Sequence, residues 1–434
     1  MLGAFVNAFK TPDLRRKLLF VLMIIVLFRL GSTMPAPGVD AASVQACFDT
    51  ASEGDQAGLF SMINVFSGGA LLQLTVFALG IMPYITASII LQLLTVVIPR
   101  LEALKKEGQS GQTKITQYTR YLTLGLAVLQ GTGIVALARS GNLFGGACDQ
   151  PLLYNPDSIV QFLMTVLTMV AGTSVIMWFG ELITDRGIGN GMSLMIFTQI
   201  IATFPGSMWA IRQSNGWRTF AIVVIIGLAV VAGVIFIEQA QRRIPVQYAR
   251  RMVGRRMFGG SSTYIPLKVN QAGVIPVIFA SSLMYIPALA AQFNPEAPWA
   301  GWVSSNFVQG GHPLYMASYF ALIVFFTYFY VSITFNPTEV SDNMKKYGGF
   351  IPGIRAGKPT EEYLGYVLSR ITLPGALYLG LISMIPLIAF VLIQANQNFP
   401  FGGVTILILI GVGLDTVKQI ESQLQQRNYE GFLR

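Results

Sequence analysis

A chain of 434 residues that is 53% hydrophobic and only 11% charged is not an ordinary soluble protein, in which about a quarter of residues carry charge. Apolar runs near the ~20 residues needed to cross hydrocarbon recur along it. The ~10-residue alternation of a membrane β-barrel is absent. The expected fold is therefore an all-α polytopic membrane protein, since helices satisfy their own backbone groups in lipid. The two cysteines, Cys47 and Cys148, are too few for a disulfide framework and lack metal-ligand spacing; they could pair with each other, but unpaired small residues are the expected reading.

In chain order, a basic start (Lys10, Arg15, Arg16, Lys17) runs into LLFVLMIIVLF with no small-residue cleavage site, so this segment is expected to stay as the first span. Ten spans are predicted, at about 18–34, 71–98, 118–138, 159–180, 188–204, 219–238, 271–292, 314–335, 371–393 and 403–418. The connections alternate between basic and poorly charged, which places both termini in the cytoplasm. Between spans 1 and 2 the segment AGLFSMINVFSGGA (57–70) is too short to cross. It reads either as an interfacial helix or as a re-entrant segment folded into a cavity. Spans 4 and 5 are joined by the polar, glycine-rich turn in WFGELITDRGIGNGMSLMIF (178–197), which should hold two helices close together.

The 6–7 loop (QRRIPVQYARRMVGRRMFGG) carries three arginine pairs, Arg242/Arg243, Arg250/Arg251 and Arg255/Arg256, and the 8–9 loop (NMKKYGGFIPGIRAGKPTEEY) is also basic. The positive-inside bias and anionic lipid account for part of this charge. Loops this long and this basic also suit a large anionic partner such as ribosomal RNA or an acidic protein surface. Glu181, Asp185, Glu238 and Asp415 fall near span ends, and the one histidine, His312, falls in an external loop. No nucleophile–base constellation, metal cluster or phosphate loop is present in the sequence, so no enzyme activity and no cofactor are expected.

LGIMPYITAS (79–88, span 2) aligns with AGVIPVIFAS (272–281, span 7): Gly80 meets Gly273, Pro83 meets Pro276, Ile85 meets Ile278, and Ala87-Ser88 meets Ala280-Ser281. Five spans separate the two segments, which reverses their orientation in the membrane. The chain thus divides into inverted halves, 1–205 and 218–434, joined by a hinge connection at 206–217. Pro83 and Pro276 are expected to kink their helices at matching places.

Four stretches, FALGIMPYITASIILQLL (77–94), GELITDRGIGNGMSL (180–194), FSMINVFSGGAL (60–71) and YGGFIPGIRAGKPTEEY (347–363), resemble the SecY/Sec61α family of protein-conducting channels, in its bacterial form. The resemblance implies ten transmembrane helices in two inverted five-helix halves around an hourglass pore in the inner membrane. It implies a pore ring of Ile81, Ile85, Met192, Ile196, Ile278 and Ile408, with methionine departing from an all-isoleucine ring. A plug at about 57–67 would include Leu59, Phe60, Met62, Ile63, Asn64 and Phe66. A lateral gate between spans 2 and 7 would carry Thr86, Ser88, Gln130, Ser281 and Ser282. The loops 239–270 and 336–370, with Arg242, Arg243, Arg250, Arg251, Arg255, Arg256 and Arg355, would dock a ribosome or the SecA motor. Other partners implied are small membrane subunits like SecE and SecG, anionic lipids, and a translocating precursor with its signal sequence. A secondary transporter, which needs a polar midplane site, and a passive scaffold are the rival readings.

Overall fold

The structure is a computed structural model that describes residues 9–51, 70, 73–141, 151–156, 158–248, 251–253, 256–258, 262–293, 298–308, 312–393 and 403–430. The predicted plug, Leu59 to Phe66, lies outside the described residues. So do Arg250 and Arg255, and the side chains of Arg251, Arg256 and Ser282.

Each of the ten expected spans contains a helix. The N-terminal half has α1 (Pro12–Thr33), the short α2 (Ala41–Ala51), α3 (Met82–Val97), α4 (Pro99–Lys106), α5 (Gln109–Arg139) and α6 (Ile159–Arg186). Next comes α7 (Gly191–Gln239), then α8 (Ile275–Phe293), α9 (Pro298–Val303), α10 (Pro313–Thr334), α11 (Pro337–Lys346), α12 (Lys358–Ile393) and α13 (Gly403–Glu430). Among the described residues, six helices are long and apolar enough to cross a membrane, or seven if α3 and α4, bent by 100° at Ile98, count as one broken span.

Helix starts follow from the sequence. Proline opens α1, α4, α10 and α11, at the position where its missing N–H costs nothing. His312, expected to be a solvated loop residue, is the N-cap of α10, its Nδ1 accepting from the Leu314 N–H at 3.2 Å. Asp40 caps α2 in the same way, accepting from the Ala42 N–H at 3.1 Å and the Ser43 hydroxyl at 2.8 Å. The Ser43 bond holds the Asp40 carboxyl below the usual carboxylate range.

α7 is two helices joined across a kink within the expected hinge at 206–217: the spans Gly191–Gln213 and Gly216–Gln239 meet at the non-helical Gly216, at φ 77°. The basic 6–7 connection, read as a loop, contains strands: β1 (Gln241–Tyr248) pairs antiparallel with β4 (Ser262–Lys268), and β2 (Arg251–Val253) with β3 (Arg256–Phe258). β5 (Gly349–Phe350), from the 8–9 connection, pairs with the end of β1. Beneath this sheet Ile244, Val246 and Leu267 pack with Met344, Ile351, Leu364 and Val367. The two basic connections therefore share one apolar core and form a single unit.

On the opposite face the 1–2 connection is tied to the entry of α6. The Asp40 N–H donates to Leu152 O at 3.0 Å, Gln161 Nε2 to Gly38 O at 2.6 Å, and the Thr165 hydroxyl to Pro37 O at 3.0 Å. Cys47 is wholly buried here and is disulfide-bonded, which corrects its reading as an unpaired residue. The chain's other cysteine is Cys148, outside the described residues. Pairing between cysteines far apart in the chain is a property of the fold that two isolated cysteines do not reveal. Peptide mapping without reductant should recover Cys47 and Cys148 in one linked peptide. Removing that link should cost about 2–4 kcal/mol; full thiol labelling of the folded protein would contradict it.

Candidate pore

The two repeated segments have matching backbones. Gly80 (φ 56°) and Gly273 (φ 62°) both take the left-handed conformation that glycine adopts most readily. In each, a helix begins immediately afterwards. The Ile85 N–H donates to Ile81 O at 3.1 Å, and the Ile278 N–H to Val274 O at 3.3 Å. Pro83 and Pro276 are the second residues of α3 and α8. The expected mid-span kinks are therefore corrected to helix starts: residues 73–81 form turns, not helix, and the prolines sit where no hydrogen bond is lost.

From that start α3 presents Ile85, Ile89 and Leu93 along one stripe to the core of the C-terminal half, whose buried centre includes Val277, Ile278, Ile323, Leu379 and Leu407. Four-residue spacing keeps such a stripe on one helix face. Ile85 and Ile196 also pack against the core of the N-terminal half, with Ile24, Phe28, Phe77 and Ile176. These two side chains thus stand on the seam between the halves. The main neighbour of α3 is α5, and that of α8 is α10, so each seam helix belongs to its own half.

A cavity of about 700 Å³ opens at this seam. Ile85, Met192, Ile196, Ile278 and Ile408 line it, which brings together five of the six expected ring residues. The sixth, Ile81, is 1% exposed within the N-terminal core and does not line the cavity. Met192 and Ile196 owe their place to the tight turn between α6 and α7. The Thr184 hydroxyl donates to Gly180 O and accepts from the Gly191 N–H, both at 2.9 Å. Asn190 Oδ1 caps α7 by accepting from the Met192 and Ser193 N–H groups at 3.1 and 3.4 Å. A Cβ on Gly191 would collide with the Gly180 carbonyl and with Ile183. Gly191→Ala should therefore destabilise the protein by about 1–3 kcal/mol, read as a lower unfolding temperature in detergent. An unchanged temperature would show that the two helices are not held at this distance.

Part of the cavity wall is polar, and the sequence did not indicate this. Glu181, Asp185, Glu238 and Asp415 line it together with Arg120, Lys268 and Lys418. Arg120 and Glu181 form a two-point ion pair, Nε to Oε1 at 2.7 Å and Nη2 to Oε2 at 2.8 Å, the arrangement a planar guanidinium favours. Lys268 Nζ is 3.8 Å from Asp415 Oδ1. The wall of this cavity thus carries charged groups as well as the isoleucines and Met192.

Of the expected gate residues, Ser88 lines the cavity. The Thr86 hydroxyl donates to Met82 O at 3.0 Å and Ser281 to Ile278 O at 2.9 Å, each within its own helix. Gln130 is half-buried on α5. On the sheet unit Arg242 and Arg243 are exposed on β1, with Arg243 stacked 4.9 Å over the Tyr264 ring. Arg355 is exposed too. Its backbone is fixed by the Thr360 hydroxyl donating to Arg355 O at 2.8 Å, and Ile351 and Ile354 beside it are anchored in the core under the sheet.

Comparison with known proteins agrees with this arrangement. The SecY family model matches residues 75–417. The chain is 68% identical to the protein translocase subunit SecY of Streptomyces griseus and 59% identical to that of Mycobacterium tuberculosis, each over the full length of both chains. Its fold is similar to a solved protein-conducting channel (TM-score 0.62, 18% identity, covering 93% of this chain and 91% of the other) and to Sec61 in the canine ribosome–channel complex (TM-score 0.60, 16% identity, the same coverage). The chain belongs to the SecY family.

Proposed function

We propose that the chain is the pore subunit of a protein translocase of the bacterial inner membrane, with both termini cytoplasmic. It conducts unfolded secretory polypeptides across the membrane and releases apolar segments sideways into lipid. The observation that carries this reading is the cavity on the seam, lined by charged groups and by the isoleucines with Met192, together with two basic connections folded over one apolar core. An apolar constriction seals by excluding water, yet yields to a passing polypeptide because it binds none of it specifically. The pore ring is assigned to Ile85, Met192, Ile196, Ile278 and Ile408, with Ile81 supporting α3 from behind. The lateral gate is the seam between α3 and α8, near Thr86, Ser88, Gln130, Ser281 and Ser282. The plug is assigned to Leu59–Phe66.

The driving force comes from the partner. A ribosome or the SecA motor docks on Arg242, Arg243 and Arg355 with the other loop arginines, and small subunits like SecE and SecG, together with anionic lipids, complete the assembly. Vesicles that contain this protein, its small subunits and the motor should protect a secretory precursor from added protease when ATP is supplied. A precursor that stays fully digestible would overturn the reading.

A further inference from the structure

The kink of α7 brings together side chains that the pore does not use. Trp209 and Arg212 stand three residues apart near the end of the first span, on one helix face, and Trp217 opens the second. The Arg212 guanidinium carbon lies over both rings, 4.7 Å from the centre of Trp209 and 4.9 Å from that of Trp217. Trp217 is in turn stacked on Phe220 at 5.3 Å. Ile211 and Val223 of the same two helices are buried in the core of the C-terminal half, which fixes the elbow from behind. Arg212 and the two tryptophans are exposed on it.

Contact with the ring faces uses none of the five guanidinium N–H donors, which lie in the guanidinium plane. Among the described residues no carboxylate or other acceptor pairs with them. Arg212 and Arg218 are also the only charged residues between Arg186 and Glu238 in the chain, so the acceptor has to come from elsewhere. Both spans expose apolar surface leading away from the cluster: Ile201 on the first, and Ile222, Ile225 and Leu228 on the second. Tryptophan, with an apolar body and one polar edge, favours the level where headgroups meet hydrocarbon, and the two spans end at this level. A molecule that offers paired oxygens to a planar guanidinium and long apolar chains to the helices below it is a phospholipid.

We infer that Trp209, Arg212 and Trp217 form a phospholipid site, with the lipid phosphate on the N–H edge of Arg212 and an acyl chain along Ile222, Ile225 and Leu228. The cluster bridges Gly216, so a bound lipid braces the elbow between the two spans. The inference needs only that both spans cross a membrane, and it does not depend on the channel reading.

The test uses the complete assembly, small subunits included, in lipid nanodiscs. A photoreactive phosphatidylglycerol is compared with a photoreactive diacylglycerol that has the same chains and no phosphate, and the label is mapped on the peptides that contain Trp209 and Trp217. The phospholipid should label these peptides more strongly than the diacylglycerol. Arg212→Gln should reduce that preference by roughly three- to tenfold, the scale of one partly hydrated charge-assisted contact. Arg212→Lys, which keeps a charge for the phosphate, should retain most of it, and inorganic phosphate in large excess should leave it unchanged. Equal labelling by the two lipids in the unaltered protein overturns the inference, because the face is then merely apolar. So does a preference that Arg212→Gln leaves intact, or one that inorganic phosphate abolishes, which marks a site for the free ion. Labelling seen only when the small subunits are left out overturns it as well, since a protein then covers this face.

Discussion

Replacing Ile85 and Ile278 together with serine should make the resting channel leak ions, with conductance rising on the order of tenfold or more. Both side chains line the cavity on the seam, Ile85 partly exposed to it and Ile278 7% exposed. Their branched apolar surfaces keep water from threading the constriction, and ions cross only where water does. Serine removes the branched surface on both sides of the seam and adds hydroxyls that hold water. Lowering the barrier to ion passage by only ~1.4 kcal/mol is tenfold in flux. Helix starts at Gly80 and Gly273 do not depend on these side chains, so both helices should persist. Planar-bilayer conductance of the double variant checks this; a leak no greater than that of the unaltered protein would remove Ile85 and Ile278 from the seal.

Arg355→Glu should nearly abolish motor-driven transport, by roughly thirtyfold or more, while leaving the fold intact. The side chain is exposed and its loop is held from behind by Thr360, Ile351 and Ile354. Reversing the charge therefore changes what the surface presents and little else. Losing one partner of a desolvated charge pair at an interface commonly costs this much, whereas a surface substitution away from packing rarely moves stability by more than ~0.5 kcal/mol. Transport in vesicles and thermal unfolding of the same preparation separate the two effects. Normal transport would place the motor elsewhere on the basic face; a collapsed unfolding temperature would make Arg355 structural.

Much of the seam was legible in the sequence. The match of LGIMPYITAS to AGVIPVIFAS paired Ile85 with Ile278, and the two share the cavity. The same motif misled about the helices. Glycine followed three residues later by proline suits a kinked span as well as a helix start, and only the positive φ at Gly80 and Gly273 decides for the start. The sheet in the basic connection had a signal that charge concealed: on β1, Ile244 and Val246 are buried while Arg243 and Pro245 face out, the two-residue period of a strand. Hydropathy placed Glu181, Asp185, Glu238 and Asp415 at span ends. It gives depth but not direction, so their convergence on one cavity could not be read from the sequence. The disulfide of Cys47 was missed for the same reason, since pairing is a property of distant segments.

The central claim, that a polypeptide passes through the seam, is tested most directly by crosslinking a precursor stalled in transit. A photoreactive residue placed in turn at Ile85, Ile196, Ile278 and Ile408 should capture the precursor. The same residue at Leu163, Leu228 and Leu381, exposed on the outer surface of the helices, should capture lipid and not precursor. Capture from the outer positions with none from the four cavity positions would contradict a path through the seam.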